Sequence, residues 1–243
     1  MSRDAERARL LSELAHEFQT PIAILKSSIE ALAESGSAGA NANAKRANAA
    51  YIAQATLDRL SRLVREFLDA AALKNQANAF RMAPIALSDL LSGVCEDCAL
   101  LAEDKGVPLS CVSDVVSIAG DRDKLKQVFL NLISNALKHT GSGGSIAIAG
   151  KAVGRDVAIT VADTGTGIAP EHLPRVFERF YRISTPGMPD APEGNGIGLS
   201  LCRDIVMAHG GTIAVESEPG QGACFTVRLP ALADQPQKSC YNQ

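Results

Sequence analysis

Between residues 10 and 33 the large apolar side chains are Leu11, Leu14, Phe18, Ile22, Leu25, Ile29 and Leu32. Spacings of three and four predict one amphipathic helix with a single buried stripe. A Gly-, Ala-, Ser- and Asn-rich stretch, ESGSAGANANAKRANAA, interrupts the pattern, and a second stripe follows through Ile52, Leu57, Leu60, Leu63, Val64, Phe67 and Leu68. Two such helices form a hairpin that cannot enclose its own apolar stripes. Pairing of two hairpins into a four-helix bundle, hence a homodimer, is the expected solution.

After the polar connector KNQANAF, residues 74 to 80, the pattern changes to short strands alternating with helices, so a domain boundary is expected there. The spacing predicts strands near 83–87, 107–112, 115–119, 145–152 and 156–162, and helices near 88–104, with Ser88 as N-cap, and 121–138. A glycine loop, a Pro- and Gly-rich stretch that looks like a lid, a helix near 197–209 and a hairpin of strands 211–217 and 223–229 complete it. The resulting division is 1–76, 77–232 and a polar tail, 233–243, expected to fray.

Composition narrows the function classes. Lys plus Arg number 24 against 27 Asp plus Glu, a formal charge of -3, so no basic field points to nucleic acid. No apolar run approaches the roughly 20 residues that span a bilayer, and the charged start MSRDAERARLLSEL does not resemble a signal peptide, so a cytoplasmic chain is expected. The six cysteines are irregularly spaced and sit within apolar patterns, as reduced core thiols do. Cys95 and Cys98 form a CxxC, but no nearby His and only Cys111 are available to complete a zinc site, which favours the core reading.

Five places can carry chemistry. His16 lies about 200° around the helix from Leu14 and from Phe18, and therefore faces away from the buried stripe. Glu17 flanks it, Thr20 projects one turn on, and Pro21 predicts a bend just below. By itself, an outward His is usually just a surface residue. In DKLKQVFLNLISNALKHT, Asn131, Asn135 and Lys138 share one face while Leu125, Val128, Phe129, Leu132, Ile133 and Ala136 supply the buried side. Asn carbonyls suit a hydrated hard cation and Lys suits phosphate, although an ordinary amphipathic helix explains the pattern equally well.

VADTGTGIAP ends a strand at Asp163, followed by Gly165 and Gly167. Such a carboxylate can accept from an exocyclic amine, and the glycines let backbone close on a flat ring. A tight turn, or one half of an aspartic protease dyad, are its rivals. EGNGIGL runs Gly194, Gly196 and Gly198 into a helix whose free amides form a phosphate nest, a weak signal alone. FERFYR places Phe177 and Phe180 as apolar anchors and Arg179 and Arg182 within reach of phosphate.

Taken together and in this order, these segments resemble the bacterial sensor histidine kinases of two-component signalling, over nearly the whole chain. AHEFQTP is similar to the family's H-box, NLISNALKHT to its N-box, DTGTGI to its G1 box, FERFYR to its F-box and GNGIGL, which includes Leu199, to its G2 box. The implied fold is α+β, a helical hairpin forming a dimeric four-helix bundle followed by an ATP-binding α/β sandwich of the histidine kinase, gyrase and Hsp90 type. The resemblance implies that His16 accepts the γ-phosphoryl of ATP with Glu17 taking its ring proton, and that an aspartate of a response regulator receiver domain accepts it next. It further implies that Asn135 binds Mg²⁺ with Asn131 alongside, Lys138 contacts phosphates, Asp163 reads the adenine amino group, and the glycines shape pocket and lid.

Glu17 and Thr20 match the family's E-x-x-T phosphatase pattern. Gln19, Thr164, Asn195, Ala15 and His139 depart from the usual Arg, Asn, Thr, Ser and aromatic residue, but none removes the nucleophile, the metal Asn or the adenine Asp. A phosphatase-dominant or scaffold protein with weak ATP use is the alternative. A directly ATP-hydrolysing relative would place a general-base Glu at Asn131. The start of the chain so near His16 implies a longer receptor whose sensor region, absent from this chain, carries any membrane contact, or an input from another protein.

Overall fold

The computed structural model describes residues 19, 21–33, 45–54, 56, 57, 60, 64, 80–183 and 196–232. The chain divides into two units, Met1–Ala71 and Ala72–Gln243, close to the boundary expected at 76. His16, Glu17, Thr20, Gly194 and the tail 233–243 lie outside the described residues.

In the first unit, 21–33 (α1) and 45–54 (α2) are helical. Pro21, Leu25, Ser28 and Leu32 form the less exposed side of α1, at the spacing that one helical stripe requires. The Ser28 hydroxyl donates to the Ile24 carbonyl at 2.9 Å and Thr56 to Ile52 at 2.7 Å, which satisfies two buried polar groups within their own helix. Ile22 and Ile29, members of the predicted stripe, are 53% and 55% exposed in the single chain.

The second unit begins with β1 (Ala83–Ala86), α3 (Leu87–Asp104), β2 (Leu109–Ser113), β3 (Ser117–Gly120) and α4 (Arg122–His139). It continues with β4 (Ile146–Val153), β5 (Asp156–Asp163), a short 3-10 turn at Leu173–Arg175, α5 (Gly198–Ala208), β6 (Thr212–Glu218) and β7 (Gly222–Pro230). Five strands form one sheet in the order β2-β4-β5-β7-β6, in which only β2 and β4 are parallel, while β1 and β3 pair antiparallel in a separate ribbon. On β5, buried Val157, Ile159, Val161 and Asp163 alternate with half-buried Ala158, Thr160 and Ala162. One face of the sheet therefore carries the core and the other does not, the signature of a two-layer sandwich.

The helices supply the second layer. Leu87, Leu91 and Val94 of α3, Leu125, Phe129, Leu132 and Ile133 of α4, and Leu201, Cys202 and Ile205 of α5 are nearly inaccessible to solvent. Each of the larger side chains contributes about 1.5–3 kcal/mol by leaving water. Two expectations need correction. Ser88 is not the N-cap of α3: Ala86 occupies that position without a side-chain cap, and the Ser88 hydroxyl turns to the Asp89 carboxylate at 3.3 Å. The reason is Leu87, whose fully buried side chain and whose N–H to the Val116 carbonyl at 3.0 Å start the helix one residue early. The third strand also lies two residues later than expected, because its register is set by β1, with Ile85 opposite Ile118.

Candidate nucleotide site

The α4 helix organises the site. It starts at Asp121, whose Oδ1 accepts from the N–H groups of Asp123 and Lys124, both at 3.1 Å, while Oδ2 accepts from the N–H of Arg81 at 3.0 Å. Desolvation, the largest single influence, opposes ionisation, but these donors together hold the carboxyl below the usual carboxylate range. The N–H of Asp121 donates to Nε2 of His209, and Nδ1 of that ring meets the Ile205 carbonyl at 2.8 Å. His209 is 5% exposed at the end of α5, so it ties the end of one helix to the start of the other in a single tautomer. At the far end of α4, Lys105 Nζ donates to the carbonyls of Leu137 and Lys138, a cation placed where the helix dipole favours it.

Along α4, Leu125, Val128, Phe129, Leu132, Ile133 and Ala136 are buried as predicted, Asn131 and Asn135 are half-buried, and Lys138 is exposed. At about 1.5 Å per residue, Asn131 to His139 spans about 12 Å. His139 is exposed by area, yet desolvation of its ring is the largest of the effects that lower its pKa. Lys138 and Lys105 act in the same direction and Asp163 acts against them.

Asp163 is the last residue of β5, 9% exposed. Its Oδ1 accepts from the N–H of Gly165 at 2.8 Å and, more distantly, from Ala223 at 3.4 Å. A side chain at Gly165 would lie 2.4 Å from the His139 carbonyl oxygen, and one at Gly167, where φ is +68°, would lie 2.0 Å from that of Glu218. These two glycines therefore close on protein backbone in this structure, whereas the sequence suggested closure on a flat ring. The loop is further clamped by Thr166 N–H to His139 O, Gly220 N–H to Thr166 O and Ile168 N–H to the Ser217 hydroxyl. Thr164, one of the departures, accepts from Ser145 N–H at 2.9 Å and joins the ends of β4 and β5. Asp163 opens on a cleft shared with Leu173, Val215, Ser217, Gly222 and Ala223, whose described lining stops short of Asn131 and Asn135.

The aromatic segment sits at the α5 end. Phe177 packs edge-on against Phe225, centroids 6.2 Å apart, confirming it as an anchor. Phe180 takes φ +62°, and its N–H donates to the Gly196 carbonyl at 2.8 Å. Gly196, at φ +65°, has no room for a side chain, since one would lie 2.6 Å from Phe180. Arg179 pairs with Asp204 of α5 at 2.6 Å, both partly buried, and its charge holds the segment to α5. Arg182 is exposed. Tyr181 carries the Arg175 guanidinium over its ring at 4.2 Å and bonds His172 Nδ1 at 2.7 Å.

Gly198 opens α5, and a side chain there would meet nothing closer than the Asn131 amide at 3.9 Å, while Leu199 packs partly into the core. The structure thus gathers Asp163, Gly165, Gly167 and His139 at one end of α4, and Asn131, Gly196, Gly198 and Arg179 around α5. The roles of Lys105, Cys202, Asp204, His209 and the His172 to Tyr181 pair have no local signal in the sequence. Cys95 and Cys98 behave as core thiols: burial, with Cys111 adjoining, pushes Cys95 up to about 12, and Cys98 is 7% exposed. Among the described residues no three metal-ligating side chains converge.

Residues 6–76 match the His Kinase A (phospho-acceptor) domain, and residues 120–233 match the histidine kinase-, DNA gyrase B- and HSP90-like ATPase family. The chain belongs to the sensor histidine kinases of bacterial two-component signalling. Sensor histidine kinase CusS of Escherichia coli K12 is 38% identical over 221 residues, which covers 90% of this chain and 45% of CusS. BaeS, a signal transduction histidine-protein kinase of the same organism, is 33% identical, with 94% and 48% covered. The chain therefore spans about half the length of these relatives.

Among solved structures, full-length ShkA in complex with AMPPNP superposes with a TM-score of 0.68 at 31% identity, covering 93% of this chain and 46% of ShkA. Histidine kinase ThkA in complex with the response regulator TrrA superposes with a TM-score of 0.74 over 95% of this chain and 64% of ThkA, and at 23% identity it shows the shared fold alone. Both halves of this α+β kinase core are thus accounted for. No helix among the described residues is long and apolar enough to cross a membrane.

Proposed function

We propose that this protein is the kinase core of a two-component receptor: its second unit binds ATP, His16 accepts the γ-phosphoryl, and a response regulator aspartate then receives it from His16. The observation that carries this reading is Asp163, a buried strand-end carboxylate held by the Gly165 N–H beside a cleft, within a match to an ATPase family. A carboxylate is an acceptor, so it selects a base that offers an exocyclic N–H, as adenine does. The AMPPNP complex of ShkA supports a nucleotide there.

Asn131 and Asn135 bring neutral carbonyl oxygens and no carboxylate, a donor set that fits Mg²⁺ only when phosphates supply the charge. With the nucleotide bound, that ion would neutralise the phosphate chain. Lys138, exposed on the same face, adds a positive charge toward the phosphates, and the start of α5 at Gly198 offers backbone N–H groups to them. A neutral imidazole is nucleophilic, which is the role this reading gives His16. Glu17 takes its ring proton, and Glu17 with Thr20 would position water for dephosphorylation of the regulator. The exposed isoleucines of α1 support assembly as a homodimer.

Incubation with γ-labelled ATP tests the reading. Acid-labile, alkali-stable label that disappears in His16→Gln and transfers to a receiver domain is expected. A protein that binds the nucleotide yet stays unlabelled would instead favour the phosphatase or scaffold reading.

A further inference from the structure

Ser217, half-buried on β6, lines the same cleft as Asp163. A serine hydroxyl has one hydrogen to give and lone pairs to receive with, and here both capacities are used. It donates to the Gly222 carbonyl at 2.6 Å and accepts from the Ile168 N–H at 2.8 Å. The first bond fixes the peptide that joins Gly222 to Ala223, and because a peptide is planar its N–H is fixed as well. That N–H is the one that approaches Asp163 Oδ1 at 3.4 Å. The second bond pins the loop that leaves β5, three residues beyond the Gly165 N–H that meets the same oxygen at 2.8 Å. Both donors to Oδ1 thus belong to segments that a single hydroxyl joins. Among the described residues none donates to Oδ2.

We propose that Ser217 is a positioning residue for base recognition: it locks the two segments that hold Asp163 Oδ1, and so leaves Oδ2 aimed in one direction, to accept from the exocyclic amine of a purine. The inference rests on the reading that Asp163 meets the base of a bound nucleotide. A carboxylate that turned about its last bond would remain an acceptor but lose its line to that amine, and hydrogen bonds weaken steeply with angle. Leu173, Val215 and Ala223 of the same cleft are apolar and cover a ring without distinguishing one purine from another. Alanine at 217 keeps the strand pairing with Ala223 but can neither donate to Gly222 nor accept from Ile168.

The test uses the full chain with Ser217→Ala and the conservative Ser217→Thr, which keeps the hydroxyl. Calorimetry compares ADP with purine riboside diphosphate, which differs only in lacking the amino group, so the ratio of the two affinities reads the contact with that amine. In Ser217→Ala the preference for ADP is expected to fall about fivefold, the worth of one modest hydrogen bond, while purine riboside diphosphate binds as before. Ser217→Thr keeps the preference. In an Asp163→Asn background the carboxylate is gone, and Ser217→Ala makes no further difference to the ratio. An undiminished preference in Ser217→Ala, or an equal loss of both affinities, overturns the positioning role while leaving nucleotide binding by the parent in place. A parent protein that binds ADP no better than purine riboside diphosphate overturns the reading of Asp163, one that binds neither overturns nucleotide binding, and the role of Ser217 falls with either.

Discussion

The glycines near the Asp163 end of α4 and at the start of α5 do different work. At the Asp163 end, a side chain on Gly165, Gly167 or Gly222 would come within 2.4, 2.0 and 1.9 Å of a backbone carbonyl oxygen, so glycine there is required by the fold itself. At the α5 end, Gly198 has ordinary space around it and a helical backbone. Among the described residues nothing crowds position 198, as the nucleotide reading proposed above expects. Residues that look alike in two short motifs are thus separated by packing: Gly165, Gly167 and Gly196 have no room for a side chain, whereas Gly198 has.

The sharpest way to break this contrast is Gly167→Ala. The added carbon meets the Glu218 carbonyl in a left-handed backbone, and a loss of about 3 kcal/mol or more in urea unfolding is expected. Gly198→Ala should leave unfolding within about 0.5 kcal/mol while ADP affinity drops about tenfold, roughly 1.4 kcal/mol in binding. Equal stability losses in the two variants would dissolve the distinction.

Thr140 sharpens the picture of the Asp163 end. The residue is 1% exposed and its hydroxyl has no hydrogen-bond partner among the described residues. Thr140→Val should raise stability by about 1 kcal/mol, read as a higher thermal midpoint, because an unsatisfied buried hydroxyl is removed. The smallest effect is that of His139. Its folded pKa lies below the reference 6.5, so the unfolded chain binds more protons between the two values. Its contribution to stability is present above pH 6.5 and is lost as pH falls toward the folded value. An NMR titration of the ring should show a midpoint under 6.5, and one above it would refute the desolvated, lysine-flanked surroundings described.

Much of this protein was legible in its residues alone. The α4 stripe from Leu125 to Ala136, Asn131 and Asn135 off that stripe, Asp163 at the end of a strand and the Phe177 anchor are all expected and all observed, because period and strand alternation are local properties that burial then obeys. Helix α3 was misjudged at its start, since Ser88 has the right chemistry for a cap but Leu87 has the stronger demand for the core. For Arg179 the sequence offers only reach toward phosphate and no sign of its partner Asp204, 25 residues away.

By itself, then, the sequence determined the order of helices and strands, the faces they bury and the motif chemistry, for these follow from residue type and short spacing. Tertiary structure alone decided what each motif residue touches. Cys202 reaches Val128 across 74 residues and His209 reaches Asp121 across 88, and such contacts exist only once α5 has packed against the start and middle of α4.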